Sequence, residues 1–280
     1  MQRFFWLVLA TCFAGLGRAQ ETGLSPDSTE RLEEMTARAN LLRAKFADDD
    51  ARPLELVPQP VLRYSDAARR DTDGTMWVFA ERERPVALVC LFIKPDRFRE
   101  WNYEFVSLVD ETLKVSGRPR WSWTPRKQSR TWTKLKDKVT GRAAGRTQQM
   151  RAIARQMQAS EILDKEPYQL RLLNQPVYRY SDESLAIEDG AIFVYAYGTN
   201  PEVLMQIEAR HGPGDGASWF VSFARLTAAA ATVERAGETL WNVDPVPLPT
   251  APGVGGFQPT DPYYSWFGPD PLDRSFSGTH

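Results

Sequence analysis

Two stretches of the chain carry the same polar residues in the same order. Arg63-Tyr64-Ser65-Asp66 is followed by Asp73-Gly74, and Arg179-Tyr180-Ser181-Asp182 is followed by Asp189-Gly190. Arginine and aspartate grouped at a strand end offer two kinds of chemistry. They can clasp a sugar or a carboxylate, with Arg63, Asp66 and Asp73 at one site and Arg179, Asp182 and Asp189 at a second. They can also serve the fold alone: Ser-Asp closes a turn through side-chain to backbone hydrogen bonds, and a guanidinium paired with the later aspartate ties one strand to the next. The structural use is the stronger expectation for both stretches.

The two stretches then diverge. Tyr195-Ala196-Tyr197-Gly198-Thr199-Asn200-Pro201-Glu202 stands where the first has the charged loop Glu81-Arg82-Glu83-Arg84-Pro85. Aromatic rings beside amide and carboxylate groups suit a carbohydrate, so Tyr195, Tyr197, Asn200 and Glu208 are the residues expected to bind a ligand if one unit holds a pocket. The alternative chemistry is carbohydrate hydrolysis by paired carboxylates, for which Glu104 and Glu208, each flanked by strand-forming residues, are the acids in reach.

Other catalytic chemistry lacks its usual material. The two histidines are His211, in a Gly/Pro-rich loop, and His280, and neither has a metal-ligand spacing. No Gly-x-Ser-x-Gly elbow is present. Gly253, Gly255 and Gly256 fall in a proline-rich segment rather than after a buried strand, so they make no phosphate loop. No metal or cofactor is expected, and a non-enzymatic protein is favoured over a hydrolase.

Charge is unevenly spread. Residues 114–155 hold thirteen Lys or Arg and one acid, Asp137, for a net +12, which the chain's overall −1 conceals. Trp121, Trp123 and Trp132 are interleaved with these cations. Such a pattern can hold an anionic polymer by charge and stacking, through Arg118, Arg120, Arg126, Lys127, Arg130 and Lys134. For an exported protein that polymer would be an envelope polysaccharide rather than nucleic acid. The plainer expectation is a solvated basic linker over 126–146, with Trp121 aligned roughly on Trp241 as the last strand of its unit.

These residues must be positioned by a repeated unit. An offset of 116 carries Gln59–Asp66 onto Gln175–Asp182, Asp73-Gly74 onto Asp189-Gly190, and Trp77 onto Phe193. Two inserted residues later, Trp101, Tyr103 and Phe105 fall on Trp219, Val221 and Phe223. Ordered matches of this kind mark a duplication, with units over 28–125 and 147–244. Each opens with a helix: Leu32, Met35, Ala39, Leu42 and Phe46 recur at three- and four-residue spacing, as do Met150, Ile153, Ala154 and Met157. Asp48-Asp49-Asp50 and Asp164–Pro167 end these helices. Short apolar runs come next, with Asp73-Gly74, Asp189-Gly190 and Ala236-Gly237 read as turns. Successive strands without intervening helices predict an antiparallel meander, so each unit is α+β, a helix packed on an antiparallel sheet. Whether the units form separate lobes or one continuous sheet stays open.

Residues 1–19 have a basic Arg3, an apolar run from Phe4 and the small residues Gly17 and Ala19 before Gln20, the layout of a secretory signal peptide. A secreted or periplasmic location is therefore expected, with no later stretch apolar enough to span a membrane. Cys90 is the one cysteine left after cleavage, in the run Val86–Ile93, and reads as a small buried hydrophobe. Residues 245–280 are rich in proline and glycine with a cluster of Tyr263, Tyr264, Trp266 and Phe267, and composition predicts a disordered tail.

The repeated signature, from Leu170–Leu173 through Arg179–Asp182 and Asp189-Gly190 to Gly198–Leu204, resembles a group of exported proteins from planctomycete-type bacteria. The resemblance spans roughly residues 28–243. It implies bacterial export and a cell-envelope setting, and brings no activity, cofactor or binding residue with it. The function expected is an exported structural or binding protein of the envelope with two related units.

Overall fold

The computed structural model describes residues 26–66, 71–93, 101–117, 121–212, 216–247, 256–266 and 272. Residues 1–19, expected to form a signal peptide, and Arg118, Arg120, Phe267 and His280 therefore lie outside the described residues.

The first half begins with helix α1 (Pro26–Ala39), strands β1 (Arg43–Phe46) and β2 (Asp49–Leu56), and then β3 (Leu62–Asp66). It continues with β4 (Asp71–Glu81), β5 (Arg84–Ile93), β6 (Trp101–Ser107), β7 (Leu113–Ser116) and β8 (Ser122–Trp123). Strand β9 (Thr133–Lys138) leads to helix α2 (Ala143–Arg155), β10 (Met157–Leu163), β11 (Glu166–Gln169), β12 (Arg171–Leu172) and β13 (Tyr178–Asp182). The long strands β14 (Ile187–Tyr197), β15 (Asn200–Arg210) and β16 (Ser218–Arg225) come after these, then β17 (Ala230–Arg235), β18 (Glu238–Val243) and β19 (Tyr263–Trp266).

Among the described residues every strand pair is antiparallel, and helices pack on the sheets, which is an α+β fold. One nine-stranded sheet runs β19-β6-β5-β4-β2-β1-β7-β8 with β3 also on β4. A six-stranded sheet runs β12-β14-β15-β16-β9 with β13 on β14, and β11-β10-β17-β18 form a third. Alternation sends side chains of the central strands to two different cores. Trp77, Phe79, Tyr103 and Phe105 join Met35 and Ala39 of α1, while Phe193, Tyr195, Met205 and Val221 join Met150 and Ile153 of α2. The opposite faces meet each other: Met76, Val78, Leu88 and Cys90 pack against Ile192, Val194, Leu204 and Tyr180. The halves thus stack as helix, sheet, sheet, helix.

The helices are shorter than their periodicity implies. Helix α1 stops at Ala39; Leu42 lies in the connection beyond it and Phe46 in β1. Leu42, Ala44 and Phe46 are all buried, so their spacing is two, and a spacing of two imitates the four-residue spacing of a helix when Ala44 is passed over. Met157 likewise opens β10, after the helix ends at Arg155 with Gln156 as its C-cap. The acidic runs end hairpins rather than helices, with Asp164 and Lys165 both at positive φ in the β10–β11 turn.

Only one of the three turn signals is a turn. Ala236 and Gly237 have φ of 52° and 81° and join β17 to β18. Asp73-Gly74 and Asp189-Gly190 sit inside β4 and β14, where Tyr64 pairs with Gly74 and Tyr180 with Gly190. Each tyrosine ring lies over its glycine: a Cβ would come within 2.5 Å of the Tyr64 ring and 2.6 Å of the Tyr180 ring. Glycine is required by this contact and by no turn. Gly190→Ala is expected to cost about 1–3 kcal/mol by overpacking, read from urea denaturation; a loss below about 0.5 kcal/mol would show that the ring moves aside freely.

The strand that completes each sheet comes from the chain beyond the other half's last hairpin. Strand β9, which follows β7–β8, pairs with β16; β19, which follows β17–β18, pairs with β6. The stretch 126–146, expected as a linker, therefore contains a strand and the start of α2. The tail from 245, expected to be disordered, supplies β19 with Tyr263, Tyr264 and Trp266 buried. Register also moves one alignment: Val115 pairs with Trp123 as Val233 pairs with Trp241, so Trp123, and not Trp121, corresponds to Trp241.

Candidate functional site

The repeated arginines and aspartates form two ion-pair clusters. In the first half Asp73, buried on β4, accepts from Arg63 Nε at 2.9 Å, from Arg63 Nη2, and from Arg31 Nε of α1 at 3.2 Å. In the second, Asp189 accepts from Arg179 Nη2 at 2.7 Å to both oxygens and from Arg146 Nε of α2 at 3.0 Å. Each aspartate thus joins two strands and a helix. Asp182 turns the chain instead, accepting from Ser184 N at 3.0 Å, and its other oxygen lies 3.5 Å from Arg84 of the opposite half. The Asp66 side chain is outside the described residues.

Of the residues expected to bind sugar, Tyr197 and Asn200 pair across the β14–β15 turn, while Tyr195 and Glu208 lie elsewhere on those strands. Tyr195 is buried on the helix side, its hydroxyl donating to the carbonyls of Ala154 and Met157. Burial holds its phenol well above the usual range. Tyr197 stacks edge-on against Tyr168 at 5.6 Å, and Asn200 donates to Glu202 at 2.8 Å. Glu208 is eight residues along β15, about 26 Å from Asn200 at strand rise, and faces the inter-sheet layer. There it accepts from Tyr180 at 2.5 Å and from Arg210. Desolvation first, and then Glu208, raise the Tyr180 phenol. Glu104 accepts from Tyr263 at 2.7 Å. Glu208 lines a cavity of about 290 Å³ between the halves, and Glu104 is not among the residues lining that cavity.

The basic segment is part of the fold, and it keeps Arg126, Lys127 and Lys134 on the surface. Trp121 and Trp123 are buried in the first core, and Arg210 lies 3.7 Å above the Trp132 ring. Arg126 pairs with Asp261 at 2.9 Å; Lys127 and Lys134 are exposed. Arg130 turns inward. Its Nη1 donates to the Leu108 carbonyl at 2.7 Å and to the Gln206 amide oxygen, and Nη2 reaches the Phe223 carbonyl at 3.5 Å.

Arg130 points to a site that spacing in the sequence does not reveal. A cleft of about 390 Å³ is built from β6, the 128–131 segment, β16, β18 and the chain before β19. Phe223, Trp241, Phe257 and Tyr263 supply its apolar wall, and Arg130 and Arg225 its charge. Arg225 donates to the carbonyls of Thr227 and Ala229 at 2.7 Å and of Asp244 at 3.0 Å. Among the described residues neither guanidinium has a carboxylate within salt-bridge distance. Asp261 also lines the cleft, but its carboxylate is held by Arg126 and by Gln258 N at 2.8 Å. Burial lowers Arg130 to about 10, against the opposing pull of Tyr180, Glu208 and Asp110, and lowers Arg225 as well. A guanidinium keeps its proton at physiological pH, so both shifts express the desolvation of positive charge.

Among the described residues no group of three or more His, Cys, Asp or Glu is placed to hold a metal ion, and no helix is long and apolar enough to cross a membrane. Comparison of the chain with protein-family models, with curated proteins and with solved structures gives no match.

Proposed function

We propose that this is an exported binding protein made of two copies of one α+β unit, and that the cleft between them takes a small amphiphilic carboxylate. The duplication is supported by hydrogen-bond register. The β3–β4–β5 and β13–β14–β15 ladders pair the same positions at an offset of 116, with bulges at the same two places. Export is supported by the layout of residues 1–19.

One observation carries the binding reading: two desolvated guanidiniums without carboxylate partners border a cleft walled by four aromatic side chains. An apolar body would replace water on the rings, and a carboxylate would complete donors now spent only on neutral carbonyls. A cleft formed from parts in which the copies differ also explains why the shared signature contributes little to it.

The test uses the chain from Gln20 titrated with indole-3-acetate and with its neutral amide. Quenching of intrinsic tryptophan fluorescence and calorimetry should give a dissociation constant of about 10–100 µM for the acid and at least about tenfold weaker binding of the amide. Thr131, exposed at the cleft, tolerates a larger side chain, so Thr131→Trp should block binding while leaving the melting temperature unchanged. Equal binding of acid and amide, or full binding by the Thr131→Trp variant, would refute the assignment.

A further inference from the structure

The two ion-pair clusters differ in charge, and the difference opens a second site. In the second half Arg146 and Arg179 face Asp189 and also Glu188, which accepts from Arg146 Nη1 at 2.7 Å. That cluster is neutral. The offset that carries Arg63 onto Arg179 and Asp73 onto Asp189 carries Thr72 onto Glu188, so the first half lacks the second acid. Arg31 and Arg63 share Asp73 alone.

This uncompensated cluster opens onto a cavity of about 450 Å³. The opposite half contributes Arg171, whose guanidinium donates to the Gly198 carbonyl at 2.9 Å, and Thr199. Three arginines from α1, β3 and β12 thus line one cavity, with Asp73 the one carboxylate among its described lining residues. Arg63 Nη1 is shielded from solvent and has no hydrogen-bond partner among the described residues. A shielded donor of this kind is costly unless an acceptor arrives. The volume falls within the ~300–1,000 Å³ of small-molecule sites and is larger than a simple ion needs. Ser65 and Thr199 add hydroxyls to the wall.

We propose that this cavity binds the tetrahedral oxyanion of a sugar-sized phosphate or sulfate ester, held by Arg31, Arg63 and Arg171 with the hydroxyl-bearing wall against the sugar. Guanidiniums brought to one cavity wall by three separate elements can each meet a different oxygen of a tetrahedral centre, and arginine forks suit such groups better than lysine point charges. The site is separate from the aromatic cleft and stands whether or not that cleft binds carboxylates.

Calorimetry on the chain from Gln20 with glucose 6-phosphate, glucose 6-sulfate and glucose tests it. One or both esters should bind, whichever binds better naming the source of the oxyanion; glucose should not, and affinity should fall as salt rises. Arg171→Ala removes an exposed side chain that holds one carbonyl, so the fold should persist while ester affinity drops at least about tenfold. Thr72→Glu, which gives the first half the acid carried by the second, should abolish binding. Absence of ester binding in the unsubstituted chain, or ester binding unchanged in a folded Arg171→Ala or Thr72→Glu variant, would overturn the proposal.

Discussion

A chain ended after Pro247 is expected to lose the cooperative fold of its first half instead of shedding a dispensable tail. Strand β19 runs along four of the seven residues of β6, with Tyr263 through Trp266 opposite Val106 through Tyr103. Its Tyr264 and Trp266 enter the first core, Tyr264 stacking on Phe105 at 6.4 Å, and Tyr263 enters the layer between the sheets. The segment ahead of it is tied as firmly. Ser107 N donates to the Pro262 carbonyl, Thr124 N to Pro259 and Arg126 N to Thr260, each at 2.8–2.9 Å, and Trp123 Nε1 donates to the Asp261 carbonyl at 2.9 Å. Burying a large apolar side chain contributes about 1.5–3 kcal/mol, so these three aromatics together rival the ~5–15 kcal/mol by which a domain is stable. Truncation would also expose β6 as a flat, apolar edge. The expected outcome is aggregation on size-exclusion chromatography and loss of the near-ultraviolet circular dichroism of the tryptophan cluster. A monomeric truncated chain melting within about 5 °C of the full chain would show that β19 contributes little.

The same segment shows where sequence reasoning stops. Helix-on-antiparallel-sheet units are legible because the strands are apolar, alternating and free of intervening helices. The strands around Trp77–Ala80, Val86–Ile93 and Trp219–Phe223 can be placed from their residues alone. Strand β19 cannot, because four residues among prolines and glycines look like linker until a partner edge is known. Strands β1 and β10 are hidden by their neighbours: Leu42 and Phe46 prolong a helical spacing while alternating with Lys45. Gly74 and Gly190 carry a turn's composition and a contact's purpose, and only the ring of the paired tyrosine distinguishes the two. The ion pairs of Arg63 with Asp73 and Arg179 with Asp189 are foreseeable from strand order, but the helix arginines Arg31 and Arg146 that complete them lie 42 and 43 residues from those aspartates and carry no local mark. The aromatic cleft is least legible of all. Phe223, Trp241, Phe257 and Arg130 come from four separate segments, and nothing in their spacing announces a meeting.

Exchange of completing strands links architecture to both sites. Because β9 must cross to β16, the segment 128–131 is drawn between the sheets and Arg130 is carried inward with it. Because β19 must return to β6, Phe257 and Tyr263 are laid opposite Phe223 and Trp241. The cleft is therefore a consequence of how the halves close each other. The oxyanion cavity arises at the facing ends of the two sheets, where β12 and the β14–β15 turn approach β3. Each site thus draws residues from both halves, so neither half alone would be complete.

Asp189→Ala should be the most damaging single substitution among the shared residues, at about 3–5 kcal/mol. The carboxylate is 4% exposed and serves both Arg179 and Arg146. Removing it leaves the Arg146 guanidinium, 9% exposed, with Glu188 and the Gly141 carbonyl as remaining acceptors. Arg146 sits in the first turn of α2, so it cannot reach water without shifting the helix from the core beneath it. Breaking one side of a buried pair costs far more than an exposed ion pair contributes, because the stranded charge stays desolvated. Asp73→Ala should cost less, since Arg31 and Arg63 are 24% and 21% exposed and can rehydrate. A double change of Asp189→Leu with Arg146→Met separates charge stranding from lost packing. It should recover much of the single-variant loss, because replacing both ions by apolar groups removes the desolvated charge along with its partner. Urea denaturation of the three variants with unchanged slope reads these differences directly. A loss below about 1 kcal/mol for Asp189→Ala, or a double variant no more stable than the single one, would mean that the cluster is a surface ornament of the fold and not one of the ties that hold helix to sheet.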